Sequence, residues 1–287
     1  MSDTTLETYR HSGKFNPAAL AAALGVAVVV GIPLGLVYAY LLRWIPFIYV
    51  NFLLTFGYGF AFGWLTSRIL KAGRVRHATV AGVTSLGAGL IALYFDWSGH
   101  IHALVDGAPW ILRPDQIVAV IPALYQEGTW TIKSVTVSGI SLAMVWLVEA
   151  AIIVGVAALI PYSLVRDTPY SEKSQCWLDE EKTINTLELI TDDAQVTAIK
   201  SGDLMPVIAA RPKVEGAASF TRLVLKRAAV AKDFCTVRVQ DVTVSLDSKG
   251  NVNEKTKDLT QDLILPASMF ELVAKLDELK PAPPVTG

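Results

Sequence analysis

The sequence predicts a membrane all-α four-helix bundle followed by a small C-terminal cytoplasmic α+β domain. Three observations predict it. Apolar residues make up 52% of the 287-residue chain, more than a water-soluble domain usually carries. Charge is divided unevenly, with residues 161–287 holding 16 of the 25 Lys and Arg and 19 of the 26 Asp and Glu. The weakly charged block from Pro17 to Tyr162 breaks into four runs, each able to cross a hydrocarbon core of ~30 Å at ~1.5 Å per residue.

Residues 1–16 are polar and read as a cytoplasmic N-terminal segment, frayed or lying at the interface. A polar lead before a long apolar run is not the pattern of a signal peptide. The first span covers about 17–42. Pro33 removes a backbone donor and predicts a kink near Val29. Gly31 and Gly35 form a small-residue pair that lets a second helix approach closely. Tyr38, Tyr40, Arg43 and Trp44 read as an interfacial girdle.

The turn from Arg43 to Pro46 is so short that the second span, about 47–65, must be an antiparallel neighbour. Gly59 and Gly63 repeat the small-residue spacing, and Asn51 and Tyr58 are the polar members of this span. Arg68, Lys71, Arg74 and Arg76 then follow without an intervening acid. The positive-inside rule makes this loop cytoplasmic. The third span is about 78–95, with Gly82, Ser85 and Gly89 on its small face.

Residues 96–138 read as a loop on the opposite side, where Arg113 and Lys133 stand against Asp96, Asp106, Asp115 and Glu127. Within it, 115–125 is apolar, too short to span and interrupted by Pro122, so a re-entrant or interfacial helix is expected. Trp97, Trp110 and Trp130 would sit at headgroup depth. The fourth span, about 139–162, brings the chain back. An even number of spans leaves both termini cytoplasmic and predicts a multi-pass protein of the cell membrane, with the lipid bilayer as first partner.

Residues 163–182 read as a linker and 183–280 as the cytoplasmic α+β domain. Strands are expected at 183–190, 219–226 and 235–246 from their alternation. A turn at Asp247–Asn251 and a returning partner over 252–265 complete a hairpin. A short helix at 192–200 would be capped by Thr191. Met269, Leu272, Val273, Leu276 and Leu279 recur at helical spacing, predicting an amphipathic helix over 266–279. Residues 281–287 are Pro-rich and read as a disordered tail.

The intramembrane polar candidates are Glu149, Tyr58, Thr84, Ser85 and Asn51, with Thr55 close in register. Glu149 needs an account, because a carboxylate near mid-span costs roughly 2.5–3.5 kcal/mol on insertion scales. It is either a proton- or ion-coupling acid or a structural hydrogen bond pinning the fourth span. The structural role is preferred, since one acid without a second ionisable partner makes a poor pathway. His100 and His102 near Asp96 and Asp106 suggest a metal site only weakly, because no third nitrogen or thiolate lies close in sequence. The basic loop is explained by orientation alone, and the glycine pairs by packing within the bundle.

No cofactor is expected. Residues 163–287 contain no histidine, which removes the commonest general base, and no phosphate loop or metal motif is present. Cys176 and Cys235 are far apart and predict neither a disulfide framework nor a zinc site. A net charge of −1 with no basic stripe excludes nucleic acid as an expected partner. The sequence therefore predicts a non-enzymatic membrane anchor for a cytoplasmic partner-binding or scaffolding domain. The alternative is a small transporter or accessory subunit that uses Glu149, and this version implies a homo-oligomer.

Overall fold

A computed structural model describes residues 5–45, 47–104, 109–132, 135–229 and 233–279. Pro46, Asp106, Lys133 and the expected disordered tail 281–287 lie outside the described residues. The chain divides into two compact units, one of residues 12–167 and one joining 1–11 to 168–287.

The helical unit opens with α1 (Pro17–Trp44), capped by the Asn16 side chain, which accepts from the Ala18 amide at 3.0 Å. α1 stays helical through Pro33. α2 (Ile48–Ala72), α3 (Ala78–Leu104), a shorter α4 (Pro114–Glu127) and α5 (Gly139–Asp167) follow. Between α4 and α5 stands a two-stranded hairpin, β1 (Trp130–Ile132) and β2 (Val135–Val137), that the sequence did not announce. α1, α2, α3 and α5 are each long and apolar enough to cross a membrane.

Small residues set how these helices meet. α1 buries Ala19, Ala23, Ala27, Gly31, Gly35 and Ala39, one residue every four. A Cβ on Gly35 would stand 2.6 Å from the Phe95 carbonyl oxygen, and one on Gly99 would stand 2.6 Å from that of Gly35. The α1 and α3 backbones therefore touch. α2 meets α5 in the same way, a Cβ on Gly59 falling 2.9 Å from the Ile153 carbonyl. The glycine pairs pack within the bundle, as the sequence reading holds.

Three helices run past their apolar stretches. α2 continues to Ala72, α5 to Asp167 and α3 to Leu104. Residues 96–104, read as the start of a loop, are thus the last turns of α3. α4 occupies the place of the expected short helix and continues through Pro122. The reason is common to all: hydropathy marks the part of a helix that faces lipid, whereas Arg, Lys, Leu and Ala prolong a helix regardless of solvent.

The second unit is built on an antiparallel sheet. A small hairpin, β3 (Tyr170–Ser171) and β4 (Cys176–Trp177), leads into β5 (Glu180–Glu188). The stretch read as a linker is therefore folded, with Tyr170 and Ser171 buried. Two short helices, α6 (Asp193–Lys200) and α7 (Met205–Ile208), precede β6 (Ser219–Arg227), β7 (Phe234–Leu246), β8 (Val252–Asp258) and β9 (Leu263–Pro266). The order is β5-β6-β7, with β8 and β9 pairing successive parts of β7. The returning partner of β7 is therefore two strands. Between them the Leu259 amide donates to the Val239 carbonyl and the Val239 amide to the Thr260 hydroxyl, so the break is hydrogen-bonded.

Three local expectations are corrected. α6 is capped by Asp192, which accepts from the Ala194 amide at 2.8 Å, and not by Thr191. The expected helix over 266–279 is only α8 (Met269–Ala274) followed by a 3₁₀ turn at Lys275–Glu278. Lys182 donates to the Ala274 carbonyl and Thr186 to the Leu276 carbonyl. With β5 side chains taking those carbonyls, the helix tightens and ends. Residues 5–11, read as frayed or interfacial, join the sheet unit. The Tyr9 amide donates to Asp262, the Ile264 amide to Glu7 and the Leu6 amide to Gly202, while the Tyr9 ring stacks on Phe234.

Candidate functional site

A cluster of buried and half-buried polar groups lies between α1, α2, α3 and α5. Glu149 comes from α5, Tyr38 from α1 and Thr55 and Tyr58 from α2, while α3 supplies Asp96 and His100. Asp96 and His100 are four residues apart and share one face of α3. All six sit in the half of the bundle nearer the α1–α2 turn: Tyr38 is past the middle of α1, Thr55 and Glu149 are before the middle of α2 and α5, and Asp96 is past the middle of α3.

Tyr38 joins three helices. Its hydroxyl contacts the Glu149 carboxyl and stands 2.7 Å from the Thr55 hydroxyl. Thr55 donates to the Asn51 carbonyl at 2.8 Å. The Tyr38 ring stacks on Tyr58, centroids 4.5 Å apart and planes within 5°, and Tyr58 donates to the Ala92 carbonyl at 2.9 Å. Beside this chain of contacts is a small cavity lined by Asp96, Trp97, His100, Trp146 and Glu149, with about 20 Å³ open to a water centre. Trp97 meets Trp146 edge to face at 5.0 Å and closes one wall. Asp96 is only 5% exposed, and the His100 Nε2 atom is buried without a hydrogen-bond partner. The segment before α4 is tied to α3, where Ser98 donates to the Ile111 carbonyl and Tyr94 to that of Leu112.

Among the sequence candidates, Glu149, Tyr58 and Thr55 come together here. Asn51 takes part through its backbone carbonyl. Thr84 and Ser85 are buried on α3 but precede Asp96 by about three helical turns. Their expected match in depth to Glu149 came from ending the third span at Phe95, which moved its midpoint towards the N-terminus. By sequence alone Asp96 and His100 read only as loop residues near a metal, and Tyr38 only as interfacial. Their signal was present in the sequence as an acid and a histidine at helical spacing. His102 points elsewhere, its ring edge-on to Tyr40 at 6.0 Å. Among the described residues no three His, Cys, Asp or Glu side chains are arranged to hold a metal.

The sheet unit holds both thiols. Cys235 is buried on β7 with Sγ 3.6 Å from the Pro266 carbonyl, and burial pushes its thiol up to about 11. Burial, with Asp233 and Asp179 nearby, also raises Cys176. Neither environment favours a nucleophilic thiolate.

Comparison with protein-family models, curated proteins and solved structures finds no match.

Proposed function

We propose that the chain is an integral membrane protein whose bundle carries a proton-binding acid pair, Asp96 and Glu149, as the coupling site of a small proton-linked transport unit. One observation carries this reading: a second acid, supplied by α3, lines the same cavity as Glu149. The preference for a purely structural Glu149 rested on the lack of such a partner. Two carboxyl groups bordering one cavity in apolar surroundings are costly as a pair of anions, and a bound proton offsets that cost. Intramembrane acids facing a bundle interior commonly mark ion and proton pathways.

Insertion is supported by length and by the outward faces. Four helices of 25–29 residues exceed the ~20 residues a bilayer needs. Their outer surfaces are apolar, with Val29, Leu53, Val83 and Leu147 all more than 60% exposed. In this reading Arg68, Lys71, Arg74 and Arg76 lie at the cytoplasmic face, together with both termini and the sheet unit. The Trp44 end of α1, the start of α2 and α4 lie on the other side. Four spans enclose little room, so the working form is a homo-oligomer in the bilayer.

The test is proton movement in vesicles holding the full chain and a trapped pH-sensitive dye. An imposed gradient should collapse faster with the wild type than with Glu149→Gln or Asp96→Asn. Equal rates for all three would remove the coupling role. A second reading, a membrane anchor whose sheet unit binds a cytoplasmic protein, is favoured by β8, an edge strand exposed along its whole length. Exposed edges are templates for strand addition. That reading has no need of the acid pair, and a partner captured equally by wild type and Glu149→Gln would support it.

A further inference from the structure

Three oxygen contacts run in series through the cluster, from Glu149 to Tyr38, from Tyr38 to Thr55 and from Thr55 to the Asn51 carbonyl. A carbonyl only accepts, so Thr55 places its one hydrogen on Asn51, which leaves the single Tyr38 hydrogen to serve both Thr55 and Glu149. Both Tyr38 contacts are hydrogen bonds only when Glu149 is a carboxylic acid. An ionised Glu149 leaves two hydrogens for three contacts, and one contact opens. On the other side of Glu149 the cavity of about 20 Å³ is large enough for one water, which needs two to four polar partners. Asp96, buried at the cavity wall, the buried and unpartnered His100 Nε2, and Glu149 itself are three such groups.

We infer that the cavity is a water-centred proton site, in which one water joins Asp96 and His100 to a protonated Glu149 that donates its hydrogen to Tyr38. The inference rests on the coupling reading above and names the group that holds the proton. Asp96 and His100 lie towards the Leu104 end of α3, and the Asn51 carbonyl ends the hydroxyl chain. A proton delivered to the water as hydronium passes to ionised Glu149, leaving neutral water; release is the reverse. Tyr38 and Thr55 keep their own hydrogens throughout and only reorient. The ionisable groups facing Glu149 are Tyr38 from α1, and Asp96 and His100 from α3, with Tyr58 from α2 stacked behind Tyr38.

Infrared difference spectroscopy on the full chain in bilayers tests this. At neutral pH the wild type should show a protonated-carboxyl stretching band that moves on deuterium exchange, disappears in Glu149→Gln and shifts in Asp96→Asn. Tyr38→Phe removes only a hydroxyl and keeps the ring on Tyr58, so a shift there is readable even if the acid variants fold poorly. The inference is overturned by a wild type without the band, by a band that survives Glu149→Gln unchanged, or by one that vanishes on adding sodium at constant pH. A Glu149 band without proton movement in vesicles keeps the site and removes coupling. Proton movement that needs Glu149, with no band in the wild type, keeps coupling and removes the protonated acid.

Discussion

Tyr38 does several jobs at once, and its hydroxyl is separable from its ring. The ring fills space against Tyr58, while the oxygen ties α1 to α2 and α5. Replacing it by Phe leaves the stack and removes the hydroxyl that Glu149 and Thr55 share, at a cost of about 1–3 kcal/mol for a buried group left unsatisfied. Tyr38→Phe should therefore lower Tm in detergent, whereas Tyr40→Phe should change it little. Equal Tm values for wild type and Tyr38→Phe would mean that the contact is not formed. A second residue with a defined role is Asp247, at the tip of the β7–β8 hairpin. Its carboxylate accepts from the Lys249 and Asn251 amides and from the Asn251 side chain, and these bonds hold it below the usual carboxylate range. A depressed acid contributes stability that is present above its unfolded value of about 4 and is lost as pH falls through the folded value. Amide exchange at residues 247–251 should accordingly speed up on acidification once intrinsic rates are divided out. Asp247→Ala should show the fast rate at every pH.

Helix contacts decide which substitutions the bundle tolerates. Gly35 and Gly99 stand where two backbones meet, so a methyl group at either runs first into backbone atoms. Gly25, on the same helix as Gly35, has open space around its would-be Cβ. Gly35→Ala should destabilise by about 1–3 kcal/mol through overpacking. Gly25→Ala should be neutral or gain up to about 1 kcal/mol of helix propensity. Melting of both variants in detergent would show the contrast, and parallel behaviour would mean that α1 and α3 do not pack as described. The same contacts explain what could be read in advance. Small residues at four-residue spacing are visible in a sequence, and so are long apolar runs and the alternation of β6 and β7. Asp96 was not legible as a core group, because hydropathy cannot tell a charge that leaves the bilayer from one turned into the bundle. The short α8 was hidden for a related reason. Its end is set by Lys182 and Thr186 on β5, far away in sequence, and not by its own spacing.

Residues 5–11 and 168–279 form one folded unit, although the whole helical region lies between them in the chain. Both ends of that region must therefore emerge on the same side of any membrane it crosses, which requires an even number of crossings. This constraint is independent of the positive-inside argument from Arg68 to Arg76 and agrees with it. The chain carries its own reporters for a test. Cys176 is partly exposed and Cys235 fully buried in the sheet unit, and the helical region has no cysteine. With the sheet unit in the cytoplasm, a membrane-impermeant maleimide should leave intact cells unlabelled. Opened membranes should label at Cys176, and Cys176→Ser should remove that signal. Cys235, shielded by the sheet and with its thiol pushed up to about 11, should react only after denaturation. Labelling of intact cells that Cys176→Ser abolishes would place the sheet unit outside. It would reverse the bundle and turn the cavity of Asp96, His100 and Glu149 towards the cytoplasm.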